Sequence, residues 1–253
     1  GLECYLDRVE VTGSNPVWFT YYLNKKKIKN IIMKNRWVLY LLIIISFFAI
    51  SQESKVLPND VQWVTQSSEY KSLCEQIYFN AWISIRNKVA SLDEPVIIMD
   101  LDETVLDNSQ YQINLFNKSE EYNPKSWNKW VKREEAKLVP GSKDFILRYK
   151  KIKDAKIIFL SNRDNTTLMA TKNNMKDLGV FFSDDIFLLK LDKNDTKINR
   201  RDEVFLGKNR MKAHGAKKII AYFGDAMGDF PEDKNYKFGV NKFIFPNPMY
   251  GKW

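Results

Sequence analysis

The sequence predicts an α/β fold: a parallel sheet flanked by helices on both faces, with a small, mainly helical cap. Three observations predict it. Short apolar runs recur from residue 96 onward: "VIIMD" (96–100), "AKIIFL" (155–160), "DIFLL" (185–189), "KIIAYF" (218–223) and "KFIF" (242–245). Stretches of helical period separate most of them. Each of the first four runs is followed by polar or charged residues, at the strand ends where open parallel sheets bind ligands.

The elements follow in order. From about Ser54 to Ala90 the pattern is helical: Trp63, Tyr70, Leu73, Cys74, Ile77, Ala81, Ile85 and Val89 recur at spacings of three and four. Pro95 opens the first strand. Residues 105–139 are rich in aromatics and charges and, with part of the N-terminal helical region, are assigned to the cap. Within them Asn123-Pro124 marks a turn and Ser126 is the expected helix cap. Pro140-Gly141 breaks the chain before a helix at 142–150. Further helices are predicted at 166–178 and 199–213, between the later strands. Strand alternating with helix implies right-handed crossovers and a sheet buried on both faces.

The chain has 253 residues, 44% of them hydrophobic, enough for one sizeable core with a small subdomain. Of the net charge of +9, four units lie in residues 1–51 and five in the remainder. No basic run interleaved with aromatics stands out in that remainder. Its charge is read as a solvated surface with mild attraction for anionic substrates, and no nucleic-acid polymer is expected as a partner. With residues 1–51 removed, Cys74 would be the one remaining cysteine, so no internal disulfide is expected, and it is read as a helical core residue. The single histidine, His214, excludes a multi-histidine zinc site. In "KAHGAKK", between a helix and a strand, it reads as a capping or solvated residue, which leaves a Ser-His-Asp triad or a histidine phosphatase without its central group.

Residues 33–51, "MKNRWVLYLLIIISFFAIS", have the layout of a secretory signal peptide. Lys34 and Arg36 precede an apolar run that is shorter than the ~20 residues of a spanning helix. Ala49 and Ser51 offer the small residues of a cleavage site. An uncleaved anchor is the alternative. Residues 1–32 lack either period and are expected to be disordered; "GSNP" within them is what GGT-TCG-AAT-CC would encode, the T-arm sequence common to tRNA genes. This segment is read as upstream DNA translated from a start called too early, and residues 52–253 as the folded domain.

The chemistry is concentrated at the strand ends. Asp100-Leu101-Asp102-Glu103-Thr104 follows the first strand, Ser161-Asn162-Arg163 the second, Lys190, Lys193 and Lys197 the third, and Gly224-Asp225-Ala226-Met227-Gly228-Asp229 the fourth. Asp100, Asp102, Asp225 and Asp229 could not all be ionised at close range without a cation. Hard oxygen ligands suit Mg²⁺. One carboxylate would be free to attack phosphorus, and another, two residues on, to protonate the leaving alcohol. Ser161 and Lys197 would stabilise the phosphoryl oxygens.

"DLDET", "LSNR", a downstream lysine and "GDAMGD" resemble the four motifs of the haloacid dehalogenase (HAD) superfamily. "DLDETVLDNSQY", "SWNKWV", "VPG", "KINRRDEV", "YFGDAMGDF" and "PNPMYGKW" narrow the resemblance to the secreted class C acid phosphatases, the lipoprotein e group (HAD subfamily IIIB), over roughly residues 60–253. It implies a HAD-like Rossmannoid sheet and a Mg²⁺-dependent acid phosphatase of 5′-nucleotide type. Asp100 would form the phosphoaspartate. Asp102 would be the acid and base and would bind metal through its carbonyl. Ser161 and Asn162 would meet the phosphoryl group, Lys197 would be the motif lysine, and Asp225 and Asp229 would complete the metal site.

Trp127 and Tyr250 fall where the family clamps a nucleotide base, although Trp127 and Trp130 also have core spacing and Tyr250 could anchor the C-terminus. Glu103 and Asp107 are expected to make hydrogen bonds locally or behind the substrate-contacting residues, Thr104 to cap or brace the loop, and Arg163 and Arg200 to pair with the acidic cluster rather than with phosphate. A phosphotransferase, or a surface nucleotide- or haem-binding protein with a vestigial site, are the rival readings. Export would place the chain in the periplasm, at the outer membrane or outside the cell. No cysteine lies near residues 49–53, so membrane association would come only through an uncleaved leader. The resemblance leaves room for a homodimer. Peptide mapping of the native protein is expected to recover nothing from residues 1–32; any peptide from them overturns the early-start reading.

Overall fold

The computed structural model describes residues 56–251, together with Lys25, Lys29 and Tyr40. The expected leader (33–51) and the segment before it otherwise lie outside the described residues. The elements below all belong to one compact unit, Leu57–Trp253. Among the described residues, no helix is long and apolar enough to cross a membrane.

Five parallel strands form the sheet: β1 (Val96–Met99), β4 (Lys156–Asp164), β5 (Ile186–Lys190), β6 (Ile219–Gly224) and β7 (Lys242–Ile244), in the order β5-β4-β1-β6-β7. The central β1 is buried along its whole length, which explains why "VIIM" is a continuous apolar run rather than an alternating one. Its side chains still alternate between two cores, because successive residues of a strand point to opposite faces. Ile97 and Met99 join Ile157, Phe159, Ala221 and Phe223 in the larger core. Val96 and Ile98 join Ile158, Leu160, Leu188 and Tyr222 in the smaller one. A register shift beside Val96 and Ile97 lets β6 accommodate Ile220 as an extra residue, which faces the larger core.

The helical region expected up to Ala90 consists of two helices, α1 (Asn59–Gln66) and α2 (Ser68–Ala90). The apolar period runs across the break, but Ser67 is extended (φ −84°, ψ 140°). Its hydroxyl accepts from Tyr70 N at 3.0 Å and so caps the second helix, while its own N–H closes the first on Trp63 O at 3.2 Å. One face of α2 then supplies Cys74, Tyr78, Ala81, Ile85 and Val89 to the larger core.

Between Val105 and Val139 the chain leaves the sheet and returns. A two-residue antiparallel ribbon, β2 (Leu106–Asp107) with β3 (Lys137–Leu138), ties the two ends together. The excursion holds α3 (Ser109–Lys118) and α4 (Pro124–Val131). The cap of α4 is Asn123, not the expected Ser126. The Asn123 side chain accepts from Ser126 N at 2.8 Å, and Pro124 occupies the first turn, where its missing N–H costs nothing.

The helix α5 (Ser142–Tyr149) follows, then β4, α6 (Leu168–Asp177), β5 and α7 (Lys197–Leu206). The last of these ends well before the expected residue 213. Gly207 turns the chain at φ +60°, and a Cβ there would stand 2.4 Å from Ala216 N, so the helix must stop at a glycine. His214 lies exposed in the turn beyond.

Arg200 of α7 fastens the strand ends. It is fully buried and donates to the carbonyls of Ser161 (2.5 Å) and Leu188 (3.0 Å) and to Asn162 Oδ1 (2.6 Å), while its Nε lies 3.3 Å from Asp195. One guanidinium thus joins β4, β5 and the start of α7. Arg200→Met is expected to destabilise the fold by about 3–5 kcal/mol, since it leaves the buried Asp195 and these carbonyls short of donors. Denaturant unfolding checks it; an unchanged midpoint would refute the fastening role.

Candidate active site

The carboxyl ends of β1, β4 and β6 and the first residue of α7 meet at one place. Asp100 directly follows β1, and its N–H is held by Phe223 O at 2.9 Å. Asp225 and Asp229 come from the turn after β6. One carboxylate oxygen from each of Asp100, Asp225 and Asp229 lies within 4.8 Å of the others. Gly224 makes this approach feasible: a Cβ there would stand 2.3 Å from the Cβ and Oδ2 of Asp229, so the aspartate occupies the space of a missing side chain. Asp229 Oδ2 also accepts from Ala226 N at 3.0 Å, closing the turn. Asn247 Nδ2 donates to Asp225 Oδ2 at 2.8 Å.

Of the three lysines considered, Lys197 reaches the cluster. Its Nζ lies 2.9 Å from Asp100 Oδ1 and bonds Asp229 Oδ1. Lys193 is exposed, and Lys190 lies on β5 in register with Asp164. Burial would lower the Lys197 ammonium, but Asp100 and Asp229 outweigh it and hold its pKa above the ordinary lysine range.

One cation does not balance three carboxylates. Burial pushes Asp100 well above its ordinary value, opposed by Lys197 and reinforced by Asp229 and Asp225. Burial and the Asp229 charge raise Asp225 to about 6. Asp100 Oδ1 is buried with Lys197 beside it as a charge but with no aligned hydrogen-bond donor. Clustered, desolvated carboxylates with an oxygen lacking a donor fit a divalent cation, which would be held by Asp100, Asp225 and Asp229.

Asp102 takes no side-chain part in that cluster. Its Oδ1 accepts from Arg163 Nε (2.9 Å) and Asn108 Nδ2 (2.9 Å) and lies 2.8 Å from Arg163 NH2. Ser161, fully buried at the end of β4, donates to Asp102 Oδ2 at 3.4 Å and accepts from Arg163 N at 3.2 Å. Asn162 is exposed and gives its Oδ1 to Arg200. Asp100, Asp102, Ser161, Lys197, Asp225 and Asp229 therefore stand together.

The two tryptophans separate clearly. Trp130 is buried and donates through Nε1 to Asn108 Oδ1 at 2.9 Å. Trp127 is half-buried, edge-on to Tyr111 at 5.1 Å, with its ring 6.0 Å from the Arg163 guanidinium. Tyr250 donates to Glu103 Oε2 at 2.5 Å and is half-buried. Glu103 itself is buried in the left-handed region (φ 54°) and accepts from Asn108 N at 3.0 Å, so it makes local bonds, as does Asp107 to Ser109 N. Thr104 braces the loop through its carbonyl, which accepts from Tyr78 at 2.6 Å. Arg163 pairs with Asp102, whereas Arg200 pairs with Asp195, away from the cluster.

Two residues without a sequence-based role, Asn108 and Asn247, are thus bonded to the acidic residues. Both lie inside quoted motifs, but nothing in their spacing says which carboxylate they meet.

A model of the HAD superfamily, subfamily IIIB (acid phosphatase), matches residues 44–253. The chain belongs to this acid phosphatase family. The solved structures similar to it include the class C acid phosphatase from Bacillus anthracis and the same enzyme with tungstate bound. Each is 30% identical, with a TM-score of 0.63, over 76% of this chain and 84% of that one. The site of this HAD phosphatase thus belongs to a phosphoric monoester hydrolase. Gly224→Ala is expected to displace Asp229, weaken Mn²⁺ binding measured by calorimetry, and destabilise the fold by about 1–3 kcal/mol. Unchanged Mn²⁺ affinity would show that the glycine is not needed for the close approach.

Proposed function

We propose that this acid phosphatase is Mg²⁺-dependent, hydrolyses 5′-nucleotides and related organic phosphomonoesters through a phosphoaspartate, and is exported to the periplasm, the outer membrane or the medium. The observation that carries the reading is the convergence of Asp100, Asp225, Asp229 and Lys197, with Asp102 beside them but bonded to Arg163 and Asn108 instead. The Bacillus anthracis enzyme has been solved with tungstate bound, a tetrahedral oxyanion with the shape of a phosphate, and this supports a phosphate-binding role for its relative here.

Bound Mg²⁺ would be held by Asp100, Asp225 and Asp229, with the Asp102 carbonyl, and would neutralise the carboxylates and draw charge from the phosphoryl oxygens. Asp100 attacks phosphorus; the ester P–O bond breaks and its electron pair goes to the alcohol oxygen. Asp102 protonates that oxygen, then takes a proton from the water that cleaves the phosphoaspartate. Lys197, Ser161 and Asn162 hold the phosphoryl oxygens as charge moves through them. Trp127, with Tyr250, takes the base of the nucleotide. Residues 105–139 act as the cap over the site, and residues 33–51 as the export leader.

Hydrolysis of a 5′-nucleotide is expected to require Mg²⁺, to stop with chelator, and to fall by roughly 10⁴-fold or more in Asp100→Asn. Full activity in chelator would overturn the metal requirement, and full activity in Asp100→Asn the nucleophile. Trp127→Ala is expected to raise KM for the nucleotide by about tenfold, the loss of one ring contact, with little change for glycerol 2-phosphate. An equal change for both substrates would remove Trp127 from base recognition.

A further inference from the structure

The carboxylate of Asp102 is held unevenly. Three donor atoms, Arg163 Nε and NH2 and Asn108 Nδ2, crowd Oδ1 at 2.8–2.9 Å. Oδ2 has a single hydroxyl, that of Ser161, at 3.4 Å. An sp² oxygen has two lone pairs, so Oδ1 is filled and Oδ2 is the oxygen left to meet a substrate.

Arg163 is itself fixed from several sides. It is 1% exposed. Its NH1 donates to Thr171 Oγ1 on α6 at 3.1 Å, its NH2 to Asn108 Oδ1 at 3.3 Å, and the Trp127 ring lies over its guanidinium. It stands where the pairing of β4 with β5 shifts register between Ser161 and Asp164, which re-aims this stretch of strand. A planar fork anchored on three elements can set the rotation of a carboxylate; a lysine ammonium, one mobile point charge, cannot.

We propose that Arg163 is a positioning residue: it locks the Asp102 carboxylate so that Oδ2 faces the oxygen of the departing alcohol. This rests on the acid–base reading of Asp102 given above. In the step concerned, the phosphorus–oxygen ester bond breaks, its electron pair stays on the alcohol oxygen, and the proton passes from Asp102 Oδ2 to that oxygen. An alkoxide leaving group needs that proton; p-nitrophenolate departs without it. Loss of the lock should therefore be selective for the leaving group, whereas loosening of the whole site should slow all substrates alike.

The test compares kcat/KM for glycerol 2-phosphate and for p-nitrophenyl phosphate in the Mg²⁺-loaded enzyme, since kcat/KM reports only steps up to departure of the alcohol. Asp102→Asn sets the reference. Arg163→Met is expected to lower kcat/KM for the alkyl ester on the order of 10²-fold and for the aryl ester by about tenfold or less. Arg163→Lys is expected to behave in the same way, because charge without the fork does not fix the rotation. Thr171→Val, which releases NH1 but keeps the arginine, is expected to show a smaller selective loss and decides the matter if Arg163→Met does not fold. Equal losses on both esters, or no loss, in variants of Arg163 and Thr171 while Asp102→Asn is selective would overturn the positioning role and leave the mechanism standing. An unselective Asp102→Asn would overturn the acid–base reading itself, and this inference with it.

Discussion

The structure turns on one constraint: three carboxylates, two buried and one half-buried, must be brought within a few ångströms of each other with a single ammonium among them. Like charges at that range oppose folding, so everything nearby serves either to supply positive charge or to remove the freedom to move apart. Lys197 supplies charge from the first turn of a helix. Gly224 removes freedom by leaving room that only the Asp229 side chain fills. The parallel sheet does the rest, because it delivers the ends of β1 and β6 side by side and β4 on the other flank. A divalent cation would complete such a site, and would offset the negative charge that otherwise repels a phosphate.

Two buried arginines divide the work of holding that frame. Arg200 bonds mainly to backbone carbonyls and acts on the scaffold: it joins the ends of β4 and β5 to the loop at Asp195 that leads into α7 and Lys197. Arg163 bonds to a carboxylate and acts on the chemistry: its fork fixes Asp102 and leaves one oxygen open. Arg201, next to Arg200 on α7, donates to Gly228 O at 2.8 Å and ties the helix to the turn that carries Asp225 and Asp229. Each is held close to the protein by geometry that lysine does not reproduce.

The strands were legible in the sequence because a sheet buried on both faces demands unbroken apolar runs bounded by polar residues, and these survive without knowledge of their neighbours. The acidic cluster was legible for the same reason: its members directly follow those runs. What hid was whatever depended on a contact between distant segments. The break at Ser67 leaves the apolar period intact and shows itself only in the cap to Tyr70. Asn123 and Ser126 are both good caps by type, and Pro124 decided between them. The end of α7 depends on Gly207 meeting Ala216, a contact that no local pattern announces. Among Lys190, Lys193 and Lys197, the "KINRR" motif already favoured Lys197, and its place at the start of α7 puts its ammonium on Asp100 and Asp229.

Asn108 shows most clearly how the active site and the 105–139 segment are one construction. Its backbone N–H and its side chain bond to Glu103, its Nδ2 reaches Asp102, and its Oδ1 receives Trp130 and Arg163. Trp130 is therefore a core residue with a polar duty, and its neighbour three positions away, Trp127, is free to present a half-buried ring because Trp130 and Val131 already anchor the helix. Glu103 accepts the phenol of Tyr250 in turn, so a hydrogen-bonded chain runs from Tyr250 through Glu103, Asn108 and Asp102 to Arg163, against whose guanidinium the Trp127 ring lies. A ligand that moved either ring would be felt at Asp102 without any movement of the sheet.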